Sequence, residues 1–169
     1  HSGGTYLQTN FFARFTSVTI PQGDTIDVAY LSYRAYGSRT GTTCNAKVDA
    51  VDADNPAAPT TYAEAENATR TTAAATWDAV AAWSDGTWYD SISIVAVIQE
   101  LVDRAGWASG NAMLLYTEDN ASSASAYREA YTYEGAAASA AKLHVEYTAG
   151  GAAVQAAYYY RLYGKGTNA

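Results

Sequence analysis

The chain reads as an all-β protein: an antiparallel β-sandwich or jelly roll with one short crossover helix at about residues 93–105. Three observations predict this. Short runs of alternating apolar and polar residues recur along most of the sequence, each closed by a Gly, Pro, Asn or Asp turn signal. One stretch alone has helical spacing, with Ile94, Ile98, Leu101 and Val102 on one side and Gln99, Glu100, Asp103 and Arg104 on the other. Strands do not alternate regularly with helices, so a parallel α/β architecture is not expected.

The elements follow in chain order. Residues 1–10 carry Gly3-Gly4 and little pattern, and read as an N-terminal arm. Residues 11–20 alternate and stop at Pro21-Gln22-Gly23-Asp24, a turn read with Pro at its second position. Residues 26–36 form a second strand, with Ala29, Leu31, Tyr33 and Ala35 on one face. Cys44, Ala46, Val48 and Ala50 give a third. A polar loop is expected from 52 to about 69, then a strand over 71–77 and an aromatic loop from Trp83 to Tyr89. After the helix, Gly106 is placed as a left-handed C-cap and Gly110-Asn111 as a turn. Further strands are expected at 111–118, 126–133 and 142–148, the last with Leu143, Val145 and Tyr147 inward and His144 on the polar face. The expected division is an arm at 1–10, a sandwich domain at 11–148 and a tail at 149–169 that docks on its own or a neighbouring subunit, its Val154 to Tyr163 stretch being a candidate further strand. A chain lacking 150–169 is then expected to fold but to assemble less well.

Composition narrows the function classes. With 169 residues, 49% of them hydrophobic, the chain can bury a core of its own. A net charge of −7, with only ten scattered basic residues, argues against nucleic acid as a partner, because phosphate binding needs clustered Lys and Arg. No apolar run reaches 18 residues, so no membrane span is expected. The single Cys44 excludes an internal disulfide and reads as a buried thiol. His1 in place of a starting Met suggests a processed or trimmed chain. Fifteen tyrosines are many for this length, and tyrosine, apolar in body and polar at its tip, suits a contact surface.

Few residues offer chemistry. Asp49, Asp52 and Asp54 crowd a strand end and its loop, where oxygen ligands could gather around a structural calcium, though an EF-hand pattern is absent and a solvated acidic loop is the plainer reading. Glu100 and Asp103 share a helix face with Arg104 and read as a solvated charge cluster. His1, with His144 as the chain's other imidazole, invites comparison with the copper-holding amino terminus of polysaccharide oxidases. A trimmed end and an outward-facing strand histidine are the simpler reading. Trp83 and Trp88, in one loop, are candidate sugar-stacking rings; the competing arrangement has Trp77 and Trp107 filling the core and the loop pair covering a sandwich edge. Asn67 and Asn120 head glycosylation sequons. Tyr158, Tyr159, Tyr160 and Tyr163, costly to leave in water, are candidate subunit contacts.

Three segments together carry a family resemblance: residues 14–26 with Ala29-Tyr30-Leu31, residues 97–112, and Lys142-Leu143-His144-Val145-Glu146-Tyr147. They resemble an all-β, jelly-roll-like domain of tailed-bacteriophage structural proteins and of secreted bacterial and archaeal surface proteins. More distantly, they are similar to DNRLRE-type (disaggregatase-related) β-sandwich modules, some of which bind polysaccharide. The resemblance covers about residues 11–148 and implies a sandwich without an active site, used for attachment or coating, with His144 as a framework residue. The expected function is therefore a non-catalytic assembly protein on a virion (decoration, fibre or tail component) or a cell-surface filament. Its expected partners are copies of itself or other structural proteins, with no cofactor. A carbohydrate-binding module is the alternative, and a copper-dependent polysaccharide oxidase acting through His1 the remote one.

Overall fold

The computed structural model of the chain describes residues 11–39 and 43–149 together with the strand backbone of 155–163. The described residues form eight strands: β1 (Phe11–Phe15), β2 (Thr25–Arg34), β3 (Ala46–Ala50), β4 (Ala75–Trp77), β5 (Trp88–Asp90), β6 (Met113–Asp119), β7 (Lys142–Thr148) and β8 (Gln155–Tyr163). Helices α1 (Tyr62–Asn67), α2 (Val95–Val102) and α3 (Tyr133–Ala136) accompany them. All strand pairings are antiparallel, in the order β4-β3-β6-β1-β8-β7-β2-β5. The halves β4-β3-β6-β1 and β7-β2-β5 face each other. The Phe11 ring of β1 meets Tyr33 of β2 edge-on at 5.5 Å, and the Tyr33 hydroxyl lies 2.5 Å from Thr117 Oγ1 of β6, although neither pair of strands is adjacent in the sheet order. The fold is thus an all-β sandwich.

Alternation explains which side chains point inward. On β1 these are Ala13 and Phe15, on β7 Leu143, Val145 and Tyr147. On β2 the pairing with β7 slips between Ile26 and Val28, so Asp27 is an extra residue; the inward set passes from Ile26 to Ala29, Leu31 and Tyr33. In β6 four consecutive residues, Met113 to Tyr116, are buried, which requires cover on both faces. The inner cover is the main core. The outer one is a smaller cluster in which Leu114 and Tyr116 pack with Val51 and with Ala65 of α1.

The β8 backbone pairs with β7 along Gln155–Arg161, and Leu162 and Tyr163 then pair with Phe15 and Arg14 of β1. The segment set apart as a tail in the sequence therefore contains a strand of this sandwich, lying between its two halves. The side chains of Tyr158, Tyr159, Tyr160 and Tyr163 lie outside the described residues, as do the arm at 1–10 and His1.

Helix α2 carries the chain from β5 across to β6 and buries Val97, Ile98, Leu101 and Val102. Gln99 behaves as a spare peptide group for β2: its Oε1 accepts from Ile26 N at 2.8 Å, and its Nε2 donates to Asp24 O at 3.0 Å. Trp107, buried behind the helix, donates Nε1–H to Ile20 O at 2.9 Å.

Several expectations are corrected. The 52–69 stretch is not a plain loop, because α1 forms there to cover the outer face of β6. Residues 126–133 make no strand; only Ala130 bridges to Ala35. The strand expected over 71–77 shortens to β4, and β5 emerges from the end of the aromatic loop. Pro21 is the first residue of its turn, with Asp24 N–H donating to its carbonyl and Gly23 taking the left-handed conformation at φ 74°. Gly110 is left-handed as expected, at φ 101°, but Gly106 is not. Glycine is needed at 106 for another reason: a Cβ there would overlap the Asp54 carboxylate.

Candidate functional site

Helix α2 lies along the first half of β2, through Ile94 N–H to Ala29 O at one end and Gly23 N–H to Val102 O at the other. The far end of the sandwich opens into a cleft of about 590 Å³. Strand register assembles its floor: Phe11 starts β1 opposite Thr117, Ala46 starts β3 opposite both Trp77 and Asp119, and Tyr33 nears the end of β2. The rings form a continuous stack. Tyr33 lies 6.2 Å from Trp77 and 6.0 Å from Trp83, and Trp83 lies nearly parallel to Tyr89 at 5.2 Å. Burial pushes the Tyr33 phenol well above its usual pKa, and the Thr117 hydrogen bond offsets this only in part, so the hydroxyl stays protonated.

The opening exists because the rim is built of small residues. Ser122, Ser123, Ala124, Ser125 and Ala126 follow one another without a side chain long enough to fill the space. Ala121 and Ser125 hold left-handed backbone conformations at φ 56° and 63°, uncommon for residues with a Cβ. The rim is sewn to residues 43–45. Ser122 Oγ accepts from Asn45 N at 2.8 Å and donates to Asn45 O at 2.9 Å, while Ser123 N–H donates to Thr43 O at 2.9 Å. On its other side, Arg128 donates to Val80 O and Ala81 O, each at 2.7 Å.

Beside the cleft lies a tyrosine and arginine patch. Tyr36 is 57% exposed and packs edge-on against Tyr131 at 5.2 Å; Tyr127 is 47% exposed under the Arg39 guanidinium at 5.0 Å. Arg34 sits 5.6 Å over the Tyr131 ring, and Arg39 also pairs with Glu129. Tyr36, Tyr127 and Tyr131 were not singled out from the sequence. The available signal was the Tyr-Arg repetition in Tyr33-Arg34-Ala35-Tyr36 and Tyr127-Arg128, but only the bridge of Ala35 to Ala130 brings these segments together.

The residues chosen from sequence are distributed differently from expectation. Trp83 is core, only 5% exposed, whereas Trp88 is 36% exposed on β5 with Lys142 Nζ 4.0 Å over its ring. The two therefore form no shared platform. Asp49, Asp52 and Asp54 do not converge either. Asp49 is buried on β3, 2.9 Å from Lys47 and 3.4 Å from Arg70, while Asp52 and Asp54 both hold Arg104. Burial raises the Asp49 carboxyl despite these cations. Among the described residues no group of three or more His, Cys, Asp or Glu side chains could hold a metal ion.

Glu100 is not merely solvated: its two carboxylate oxygens accept from Thr72 N at 2.8 Å and Ala73 N at 2.7 Å, fixing the approach to β4. His144 sits on the outer face of β7 but is only 5% exposed, stacked on Tyr30 at 4.6 Å with Nε2 3.0 Å from Glu146. Cys44 is buried at the cleft. No helix among the described residues is long and apolar enough to cross a membrane. Comparison with family models, curated proteins and solved structures finds no match for this chain.

Proposed function

We propose that the protein is a non-catalytic assembly subunit, displayed on a virion or a cell-surface filament, that contacts copies of itself through surface tyrosines. The observation that carries this reading is the patch of Tyr36, Tyr127 and Tyr131 with Arg34 and Arg39 at one end of the sandwich. Tyr and Arg are the residues that dominate protein contacts, because each combines a large apolar area with a directional polar group. The segments at 14–26, 97–112 and 142–147 that resemble phage and surface-protein domains support the setting. A non-catalytic role is supported by the use of ionisable groups as fasteners. Asp49, Arg70, Glu118 and Lys47 join β3 and β6 to the segment before β4, and Arg104 ties the chain after α2 to Asp52 and Asp54.

The route of assembly favours side chains over strand addition. The outer strands β4 and β5 are three residues each, leaving little edge for another chain to extend. A glycan-binding role would rest on Trp88 alone.

Sedimentation velocity of the full chain tests the proposal. The wild type is expected to sediment as an oligomer, and Tyr36→Ser with Tyr127→Ser to shift it to monomer, each residue contributing about 2 kcal/mol as an interface anchor. Tyr62→Ser, on α1 and 68% exposed, is the control that leaves association intact. A wild-type chain that is monomeric throughout, or a double variant that associates equally well, refutes the proposal.

A further inference from the structure

The geometry points to the aromatic cleft as a binding site for a small, neutral aromatic molecule that carries one hydrogen-bond acceptor, such as an aryl ketone or aryl ether. Four properties define this ligand. The volume of about 590 Å³ lies within the range of small-molecule pockets. The floor offers the rings of Phe11, Tyr33 and Trp77, whose quadrupoles favour offset or edge-on packing of a further flat ring. The lining holds Glu118, Asp119 and Glu129 against Arg128, a balance that disfavours an anion. The fourth property is one surplus donor.

Tyr33 and Thr117 hydroxyls lie 2.5 Å apart, and whichever donates, the other keeps a hydrogen of its own. Among the described residues neither hydroxyl makes another hydrogen bond, so this hydrogen can serve a ligand's acceptor oxygen. Ser123 and Ser125 stand exposed at the rim, and the polar groups deeper in the cleft are already engaged. Asn45 Oδ1 accepts from Ala79 N at 2.9 Å, Asp119 accepts from Ala121 N at 3.1 Å and Ser122 N at 3.2 Å, and Arg128 holds two carbonyls. A sugar seated on the aromatic floor would bring several hydroxyls to a surface with one donor to offer, and stripping water from the rest costs more than ring stacking returns. An aromatic body with a single acceptor meets no such penalty. The tied rim keeps the cleft open before binding, so little ordering is required.

The probe is prodan, a neutral naphthyl ketone whose emission shifts to the blue in an apolar site, titrated into the full chain. Saturable binding at one site per chain is expected, with no competition from methyl glucoside. Prodan is also expected to slow the reaction of a thiol reagent with Cys44, the chain's single cysteine, which lines the cleft. Thr117→Val is expected to weaken binding about 3- to 10-fold through the lost hydroxyl pair. Ala126→Phe, which fills the half-buried rim position, is expected to abolish it. Absence of a saturable blue shift overturns the inference, as does binding to a folded Ala126→Phe variant that equals the wild type. If Ala126→Phe fails to fold, Cys44 decides: prodan that binds without protecting the thiol lies elsewhere, and the inference falls. Competition by methyl glucoside would instead make the site a sugar site and refute the ligand class. Tyr127 lines the cleft as well as the patch, so the titration is repeated on Tyr36→Ser, which lies outside the cleft lining; unchanged prodan binding there separates this inference from the assembly reading.

Discussion

Asp54 shows how one residue can fix two neighbouring positions of a distant segment at once. Its carboxylate holds Arg104 Nε at 2.7 Å and lies against Gly106, where no other residue leaves room for it. Gly106→Ala is therefore expected to push the carboxylate off the guanidinium and to destabilise the protein by about 1 kcal/mol. In an Asp54→Ala background the same substitution should cost almost nothing, and urea denaturation of the four-variant cycle measures the difference. Equal costs in both backgrounds would show that Gly106 serves its backbone and not Asp54. The sequence marked Gly106 as special but could not supply the reason, because Asp54 is 52 positions away and nothing local reports the approach. His144 is a similar case. Alternation placed it on the outer face of β7, which holds, but a face opposite the core is not necessarily wet, and Tyr30 across the strand pair covers the imidazole.

At the scale of elements, α1 is the instructive case. Its start is written as Thr61-Tyr62-Ala63-Glu64, the pattern of a capping box. Thr61 Oγ1 accepts from Glu64 N at 3.2 Å, and Glu64 Oε2 accepts from Thr60 N at 2.6 Å and Thr60 Oγ1 at 2.9 Å. The Thr60 backbone bond first, and its hydroxyl second, lower the Glu64 carboxyl below its ordinary pKa. A lowered carboxyl stabilises the helix above its unfolded value, and the contribution is lost as pH falls through the folded one. Protection of the α1 amides, taken relative to their intrinsic exchange rate at each pH, should accordingly fall below about pH 4, and Glu64→Gln should remove that dependence. Exchange in α1 that responds identically in both proteins would contradict this role.

The signal for α1 was thus legible, but the surrounding Pro, Ala and Asn residues suggested a loop. Only the unbroken apolar run Met113-Leu114-Leu115-Tyr116 hinted that β6 needed cover on its outer face. The strand expected at 126–133 failed for the opposite reason. Its alternation is real, yet Arg128 is committed to the carbonyls of Val80 and Ala81, and the chain follows the cleft rim instead of a ladder.

For the whole molecule, β8 changes what the C-terminal segment does. It pairs with seven residues of β7 and reaches β1, so the two halves of the sandwich share it. A chain cut at residue 149 loses that ladder, and the expectation that it folds undisturbed gives way to a different one. Its stability should fall by about 3 kcal/mol or more, near 10 °C in Tm. A truncated chain that melts with the full-length protein would show that β8 contributes little. Most of the sandwich was legible because alternation and turn residues are local. The cleft was not, since it depends on Phe11, Tyr33, Trp77 and Thr117 meeting across four strands, and on a run of Ala and Ser that looks featureless until it stands beside them.

The central claim is that the tyrosine and arginine end of the sandwich is where copies of the chain meet. Photo-oxidative tyrosine cross-linking of the full chain, with the linked peptides mapped by mass spectrometry, tests it most directly. The account predicts covalent dimers joined through Tyr36 or Tyr127. A chain that stays uncross-linked, or links only through Tyr62 on α1, would contradict it.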